Sequence, residues 1–408
     1  MLIVQKYGGT SVGSFDRIRN VASRIKALRE DGHQVAVVVS AMGGVTDRLI
    51  GMANEICSDP PKREMDVLLS TGEQQCIALV TMALHQLGVE AVSVTGQQAG
   101  MKTTGSHTRA RIDAINPSLS RRYLAEGKVV IVAGFQGVNE EGLIQTLGRG
   151  GSDLSAIAFA SSVGADICQI LTDVDGVYSA DPRVVPDARK LPEISYDELL
   201  ELASVGTKVM QSRSVEFAKK YGVKFEVRSS LNINPGTIVT EEHEAMEAVV
   251  IRGVSIERSQ ARVTITGIPD EPGMSARILG VLGDDEINID MIVSNIAHDG
   301  FARHSFTMHT NDLGRAQAAL KPILANLGPD ANIETEAGIA KLSVVGIGMR
   351  SHSGVAAQMF KAIGDAGINI GMISTSEIKI SVTVDEAKIE DAARVVHGAF
   401  DLDAAPAS

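Results

Sequence analysis

The sequence predicts an α/β protein in two parts: a three-layer α/β/α domain with a mainly parallel sheet, then two βαββαβ units. Three observations carry this. Up to about residue 230, short apolar runs alternate with helical patterns. Those runs are almost continuously apolar, as strands covered on both faces must be. Beyond residue 260 the chain repeats itself: residues 261–296 and 340–378 share a strand, a Gly-Ile loop, a glycine-led helix and then "INIDMI" or "INIGMI".

Taken in order, the strands of the first part are "LIVQK", "VAVVVS", "AVSVT", "VVIVAG", "ICQILT" and "KFEVRSS". Between the first two, Ile18, Val21, Ile25 and Leu28 recur at three- and four-residue spacing and predict a helix over 15–30. The polar, acidic stretch around 241–247 reads as a linker, placed at 241–260 between a first domain at 1–240 and repeats at 261–338 and 339–408. After its second strand, each repeat continues with a strand and a helix, "RHSFTMHT" with "LGRAQAALKPIL" and "KISVTVDE" with "KIEDAARVVHGAF".

Composition narrows the function classes. A net charge of −12, no Trp and 3% aromatic residues argue against a nucleic-acid surface. Cys57, Cys76 and Cys168 are odd in number and lack metal-ligand spacing, which fits a reducing, cytoplasmic setting. No apolar run approaches the ~18 residues of a membrane span.

In open parallel sheets, ligands bind beyond the carboxyl ends of the strands, and polar residues cluster there. "KYGGTSVGS" puts Lys6 before Gly8-Gly9 at a strand-to-helix turn. Paired glycines and a helix start suit an anion, although the order of residues is not that of a P-loop; a tight turn with a surface lysine fits equally. "SAMGGVTDRL" offers Ser40 and Thr46 near a second helix start, where such hydroxyls also serve as ordinary caps. "STGEQQ" places Glu73 behind a glycine, as a solvated helix-start acid also would be. "TLGRGGSDLSA" holds Arg149, whose fork suits a carboxylate or phosphate; here Ser152 can cap the following helix, with Asp153 in its first turn. "LTDVDGVYSADPR" carries Thr172, Asp173, Tyr178 and Arg183, and "GTKVM" carries Lys208 at a helix start. Two lysines, two arginines and several glycine turns are the inventory that phosphoryl transfer needs. "VVGIGMRSHSG" is not a dinucleotide fingerprint, because Ser351 stands where the third glycine belongs.

In this order, "KYGGTSVG", "SAMGGVTD", "STGE", "GRGGSD", "TDVDGVYSADPR", "RSVEFA" and "VRSSLNINPGT" resemble the monofunctional aspartate kinases: an amino-acid-kinase domain followed by two ferredoxin-like ACT domains. The resemblance implies ATP-dependent phosphorylation of the β-carboxylate of L-aspartate to 4-phospho-L-aspartate. Mg²⁺ would be held mainly through the ATP phosphates rather than by dedicated protein ligands. The reaction opens the pathway to lysine, threonine, methionine and diaminopimelate. It also implies roles. Lys6, Asp153 and Lys208 are catalytic. Lys6, Tyr7, Gly8, Gly9, Thr172, Asp173, Tyr178, Asp181, Arg183, Lys208 and Val209 bind ATP. Ser40, Thr46, Glu73, Arg149, Gly150, Gly151 and Ser152 bind aspartate, with Arg149 on its α-carboxylate. Lysine, threonine or both would inhibit through Asp270, Met274, Ser275, Ser294, Asn295, Val355, Ala356, Asn369, Ile370 and Ser376.

The family also implies a homo-oligomer joined through ACT domains. Some members form a heterotetramer with a shorter subunit from an internal start, which Met246 matches; an ordinary linker methionine is the alternative. The chain departs from many relatives at Gln211-Ser212, where they have His-Pro, which bears on local helix entry. Two other functions stay open on sequence alone: a kinase of a related amino acid such as glutamate, and a catalytically inactive amino-acid sensor.

Overall fold

The computed structural model describes all residues except 205–209, 244–249, 297–299, 329 and 405–408. Lys208, Val209 and Met246 therefore lie outside the described residues. The chain forms two compact units. One comprises Met1–Val177, Lys190–Ala203 and Lys208–His243; the other comprises Tyr178–Arg189, Ser204–Thr207 and Glu244–Ser408.

The first unit runs β1 (Leu2–Tyr7), α1 (Phe15–Glu30), β2 (Gln34–Val39), α2 (Val45–Ile56), α3 (Lys62–Gln86), β3 (Ala91–Val94), β4 (Met101–Thr104), β5 (Arg111–Ile115), α4 (Ser118–Ala125), β6 (Val129–Ala133), β7 (Gln136–Val138), β8 (Ile144–Thr146), α5 (Gly151–Val163), β9 (Ile167–Thr172), β10 (Glu193–Ser195), α6 (Tyr196–Ser204), α7 (Ser212–Tyr221), β11 (Phe225–Ser229) and β12 (Thr237–Thr240). Eight strands form one sheet in the order β10-β12-β11-β9-β1-β2-β6-β3. Every pair is parallel except β11 with β12. The strands β5-β4-β7-β8 make a second, smaller sheet.

Alternation along the central strand sorts its side chains between the two outer layers. Tyr7, Val37 and Val39 pack with Ile18, Val21 and Ile25 of α1 and with Ile77, Val80 and Leu84 of α3. Lys6 and Val38 face the other layer, where α5 lies; a Cβ at Gly134 would stand 3.0 Å from both Ser152 of α5 and Val38. Helix α5 is buried nearly all round, so it has no polar face and almost no amphipathic pattern. By length and composition α3 could cross a bilayer, an exception to the expectation that no stretch could. Here it is a core helix that buries Asp66, Ser70 and Glu73.

The second unit runs β13 (Gly253–Pro269), α8 (Met274–Asp284), β14 (Ile292–Ile296), β15 (Phe301–His309), α9 (Leu313–Leu327), β16 (Asn332–Val345), α10 (Val355–Asp365), β17 (Ile373–Thr375), β18 (Lys379–Asp385) and α11 (Ile389–Ala399). Its strands form one sheet in the order β14-β15-β13-β16-β18-β17. The two long strands serve both repeats. The far half of β13, from Gln260, pairs with β15 and with the near half of β16. The near half of β13 instead pairs Gly253–Glu257 against Val345–Lys341, whose other edge pairs with β18.

This corrects three boundaries expected from sequence. The 241–260 linker is shorter, because residues 253–257 are a core strand. The cut at 338/339 falls inside β16. The 1–240 domain is interrupted, because residues 178–189 belong to the second unit. In that unit Ala180, Val184 and Val185 pack with Val254, Leu342, Val344 and Val396, and Ser179 O accepts from Val254 N at 2.7 Å. The segment thereby occupies a strand edge that would otherwise lack a partner.

Candidate active site

The carboxyl ends of β1, β2, β6 and β9 lie along one edge of the parallel sheet, and backbone bonds tie the loops that leave them together. Gly8 N donates to Leu171 O at 3.3 Å, Ser40 N to Tyr7 O at 3.1 Å, Gly43 N to Gly9 O at 3.1 Å and Gly134 N to Val39 O at 3.1 Å. Lys6, 8% exposed, is still within β1, opposite Val38 and Ile170. Its Nζ is 2.6 Å from Asp153 Oδ1. Asp153 is held in the first turn of α5, so the strand and the helix position the two charges independently.

Helix α5 does not use Ser152 as its cap, as the sequence suggested. The cap position is Gly150, at φ 69°, and Ser152 is buried inside the first turn. A Cβ at Gly150 would lie 2.1 Å from Gln211 Cγ, so the missing side chain makes room for Gln211, the residue that opens α7. Arg149 precedes this turn, exposed and without a hydrogen bond or ion pair among the described residues.

Glu73 is not at a helix start. It sits mid-way along α3, 4% exposed, and its Oε1 accepts from Ala41 N at 3.0 Å. Gly72 permits this approach: a Cβ there would be 2.8 Å from Ala41 Cβ. Glu73 Oε2 is buried and has no partner among the described residues. Burial pushes the carboxyl up to about 7, against the lowering effect of the Ala41 N–H. A buried acceptor with one unfilled oxygen is a seat for a cationic donor.

Ser40 and Thr46 are half-buried beside this region, and Thr46 is in the first turn of α2. Thr172 ends β9 and donates through Oγ1 to Asp173 Oδ1 at 3.1 Å. Tyr7 contributes no side chain here. It is fully buried in the α1–α3 layer and donates to Gln5 Oε1 at 3.1 Å, on the face opposite Lys6. Tyr178, Asp181 and Arg183 lie in the second unit, where Arg183 forks onto Asp181 at 2.7–3.2 Å. That contact holds the Asp181 carboxyl below its usual range.

Among the expected effector residues, Met274 and Val355 open α8 and α10, each after a left-handed glycine, Gly273 at φ 92° and Gly354 at φ 94°. Ser275 Oγ lies 3.1 Å from His304 Nε2. Asp270, Ser294, Asn295, Asn369 and Ser376 are exposed, and Ala356 and Ile370 are half-buried. Asn369 and Ile370 line a cavity of about 510 Å³ with Arg262 and Asp385.

Sequence reasoning missed two buried polar sets. Gln5, Gln169 and Glu226 form a hydrogen-bonded row across β1, β9 and β11, with bonds of 2.8 and 2.9 Å. Polar letters inside apolar strands were the available signal. The second set centres on Asp66, which gave none, since one acid in a helix usually marks a solvated face.

Together the edge offers a lysine paired to an aspartate, glycine loops, an exposed arginine and a buried carboxylate. It can hold anions at one end and an ammonium at the other. The Amino acid kinase family matches residues 1–229, and the ACT domain matches residues 261–328 and 342–400. An aspartokinase from Pseudomonas aeruginosa is 53% identical over 405 residues, covering 99% of this chain and 98% of that one. E. coli aspartokinase III in complex with aspartate and ADP (R-state) is 25% identical with a TM-score of 0.78, covering 98% and 99%. Its complex with lysine and aspartate (T-state) has the same identity and a TM-score of 0.77, covering 97% and 99%. With an amino acid kinase domain, two ACT domains and about half its residues shared with a full-length aspartokinase, this chain belongs to the aspartokinase family.

Proposed function

We propose that the protein is an aspartate kinase that transfers the γ-phosphoryl group of ATP to the β-carboxylate of L-aspartate. The observation that carries this is the near full-length likeness to an aspartokinase that binds aspartate and ADP, together with the Lys6–Asp153 pair at the carboxyl end of the central strand. One β-carboxylate oxygen attacks the γ-phosphorus, the bond to the β,γ-bridging oxygen breaks, and ADP departs with that electron pair. A carboxylate is already ionised at neutral pH, so the acceptor needs no general base. The protein's contribution is positioning and charge neutralisation.

In this reading Lys6 and the N–H groups of Gly8 and Gly9 take the transferring phosphate, and Lys208 acts from the opposite side. Asp153 orients Lys6. Arg149 takes the α-carboxylate of aspartate and Glu73 its ammonium, with Ser40, Thr46 and Ser152 completing the acceptor site. Thr172 and Asp173 meet the nucleotide. Mg²⁺ held through the ATP phosphates would neutralise their charge.

Lysine, threonine or both bind at the ACT loops near Asp270 and Ser294, at contacts between copies of the chain, and favour an inactive state by differential affinity. A reducing, cytoplasmic setting fits the three free cysteines, two of them buried.

The test is direct. Protein with ATP, Mg²⁺, aspartate and hydroxylamine should give aspartyl hydroxamate, and lysine and threonine, singly or together, should suppress it. No hydroxamate, or a stronger signal with glutamate, would overturn the assignment of reaction and substrate.

A further inference from the structure

Asp66 lies on α3, seven residues and two turns before Glu73, about 10 Å along the helix. It is completely buried. A carboxylate in such a place persists only when its oxygens are filled, and here four contacts fill them. His107 Nδ1 donates to Oδ2 at 2.6 Å, Thr108 N to both oxygens at 3.1 Å, and Thr146 Oγ1 to Oδ1 at 2.5 Å.

These donors come from the two stretches that frame Arg149. Thr146 ends β8, three residues before it. The 106–108 turn packs on the residue next to it: a Cβ at Gly148 would stand 3.1 Å from Thr108 O. Thr108 is itself in the left-handed region, at φ 68°, a conformation that a threonine holds only under restraint. The stretches are also joined to each other. Ala110 N donates to Thr146 O at 3.0 Å, and Arg213 of α7 donates to Leu147 O at 3.0 Å and Ala110 O at 3.2 Å. Asp66 fastens this joined pair to the helix that carries Glu73.

We propose that Asp66 is a positioning residue for the acceptor site: it fixes the loop bearing Arg149 relative to Glu73, and thereby sets the spacing at which one amino acid's carboxylate and ammonium are held. The proposal rests on the assignment of Arg149 and Glu73 to the acceptor.

The experiment compares wild type, Asp66→Asn and Thr146→Val for KM of aspartate, KM of ATP and kcat. Asn keeps the volume but presents N–H groups where His107 and Thr108 also donate; Val removes one donor and leaves the carboxylate. Asp66→Asn should raise the aspartate KM by roughly tenfold or more and leave the ATP KM within about twofold. Thr146→Val should move the aspartate KM in the same direction by less. A purely structural role would raise the KM values of aspartate and ATP alike, and that result would overturn the proposal. If Asp66→Asn fails to fold, Thr146→Val decides: an unchanged aspartate KM overturns the proposal. Wild type that does not turn over aspartate would remove the kinase reading and this role with it; wild-type turnover with both variants unaffected removes only the role of Asp66.

Discussion

Lys6 and Asp153 face each other with side chains 10% and 14% exposed, so each is the other's main compensation for leaving water. Lys6→Ala should therefore act twice. Turnover should fall by about 10²–10³, the range for losing one preorganised charge donor. Stability should also fall, by on the order of 3 kcal/mol, because Asp153 is left with an uncompensated charge. Steady-state kinetics and urea unfolding read the two effects, and a variant with normal kcat would cancel the phosphate role. Glu73 gives a pH signature. Its folded pKa of about 7 lies above the ordinary 4.5. Between those values the folded state holds the proton that the unfolded state has released, so stability declines as pH rises from about 4.5 to 7, by up to about 3 kcal/mol. The deprotonated carboxylate is what an ammonium needs, so the aspartate KM should fall as pH rises through 7. Glu73→Gln should flatten both profiles; a wild-type KM independent of pH between 6 and 8 would contradict the ammonium role. At this scale the sequence was legible where charge stands beside glycine, as at Lys6 and Arg149. It misled at Glu73, because Gly72 imitates a helix start when it is a contact point inside α3. Tyr7 meets this edge only through its backbone, because neighbours in a strand turn their side chains to opposite layers.

The elements of the sheet were legible because strands covered on both faces must be apolar, and the helices between them because one face repeats every three to four residues. Contacts between elements were not legible, and the junction of α5 with α7 shows why. "GRGGSD" reveals a turn, but only the fold shows that Gly150 lies under Gln211, a residue 61 positions away. Gly150→Ala should destabilise through two separable causes. A left-handed alanine costs roughly 1–2 kcal/mol, and its Cβ meets Gln211 Cβ and Cγ at 2.5 and 2.1 Å. Adding Gln211→Ala should recover part of the second cost and none of the first. Thermal unfolding of the two single variants and the double variant measures this. Strictly additive losses would show that Gln211 moves aside freely. Because the same turn presents Ser152 and Asp153, the single variant should also lose activity.

At the scale of the whole chain, the repeat was legible because both its pattern and its residues match, yet the owner of each strand was not. Similarity between the repeats shows what each contains. It cannot show which segment fills an edge that the second repeat leaves open after α11, where residues 400–404 form turns and no strand. The segment that fills it, Gly253–Glu257, follows an acidic stretch and was read as linker for that reason. Its five residues pair with β16 from Lys341 to Val345, and Glu257 Oε2 meets the buried Lys341 Nζ at 2.8 Å. A regulatory fragment must therefore begin before this strand, and one starting at Met246 would contain it. A fragment spanning residues 250–408 should keep the whole sheet, whereas one spanning 259–408 exposes the edge of β16 and strips Lys341 of one carboxylate. It also loses Ile251 and Val254, 3% and 1% exposed, from the apolar cluster of the second repeat. Fully burying such side chains contributes about 1.5–3 kcal/mol each, a large share of the stability of a domain this size. The shorter fragment should then unfold at markedly lower urea, with loss concentrated in β16, β18 and α11 by hydrogen exchange and protection retained in β14, β15 and α9. Equal midpoints for the two fragments would mean that the second repeat holds its sheet without the borrowed strand.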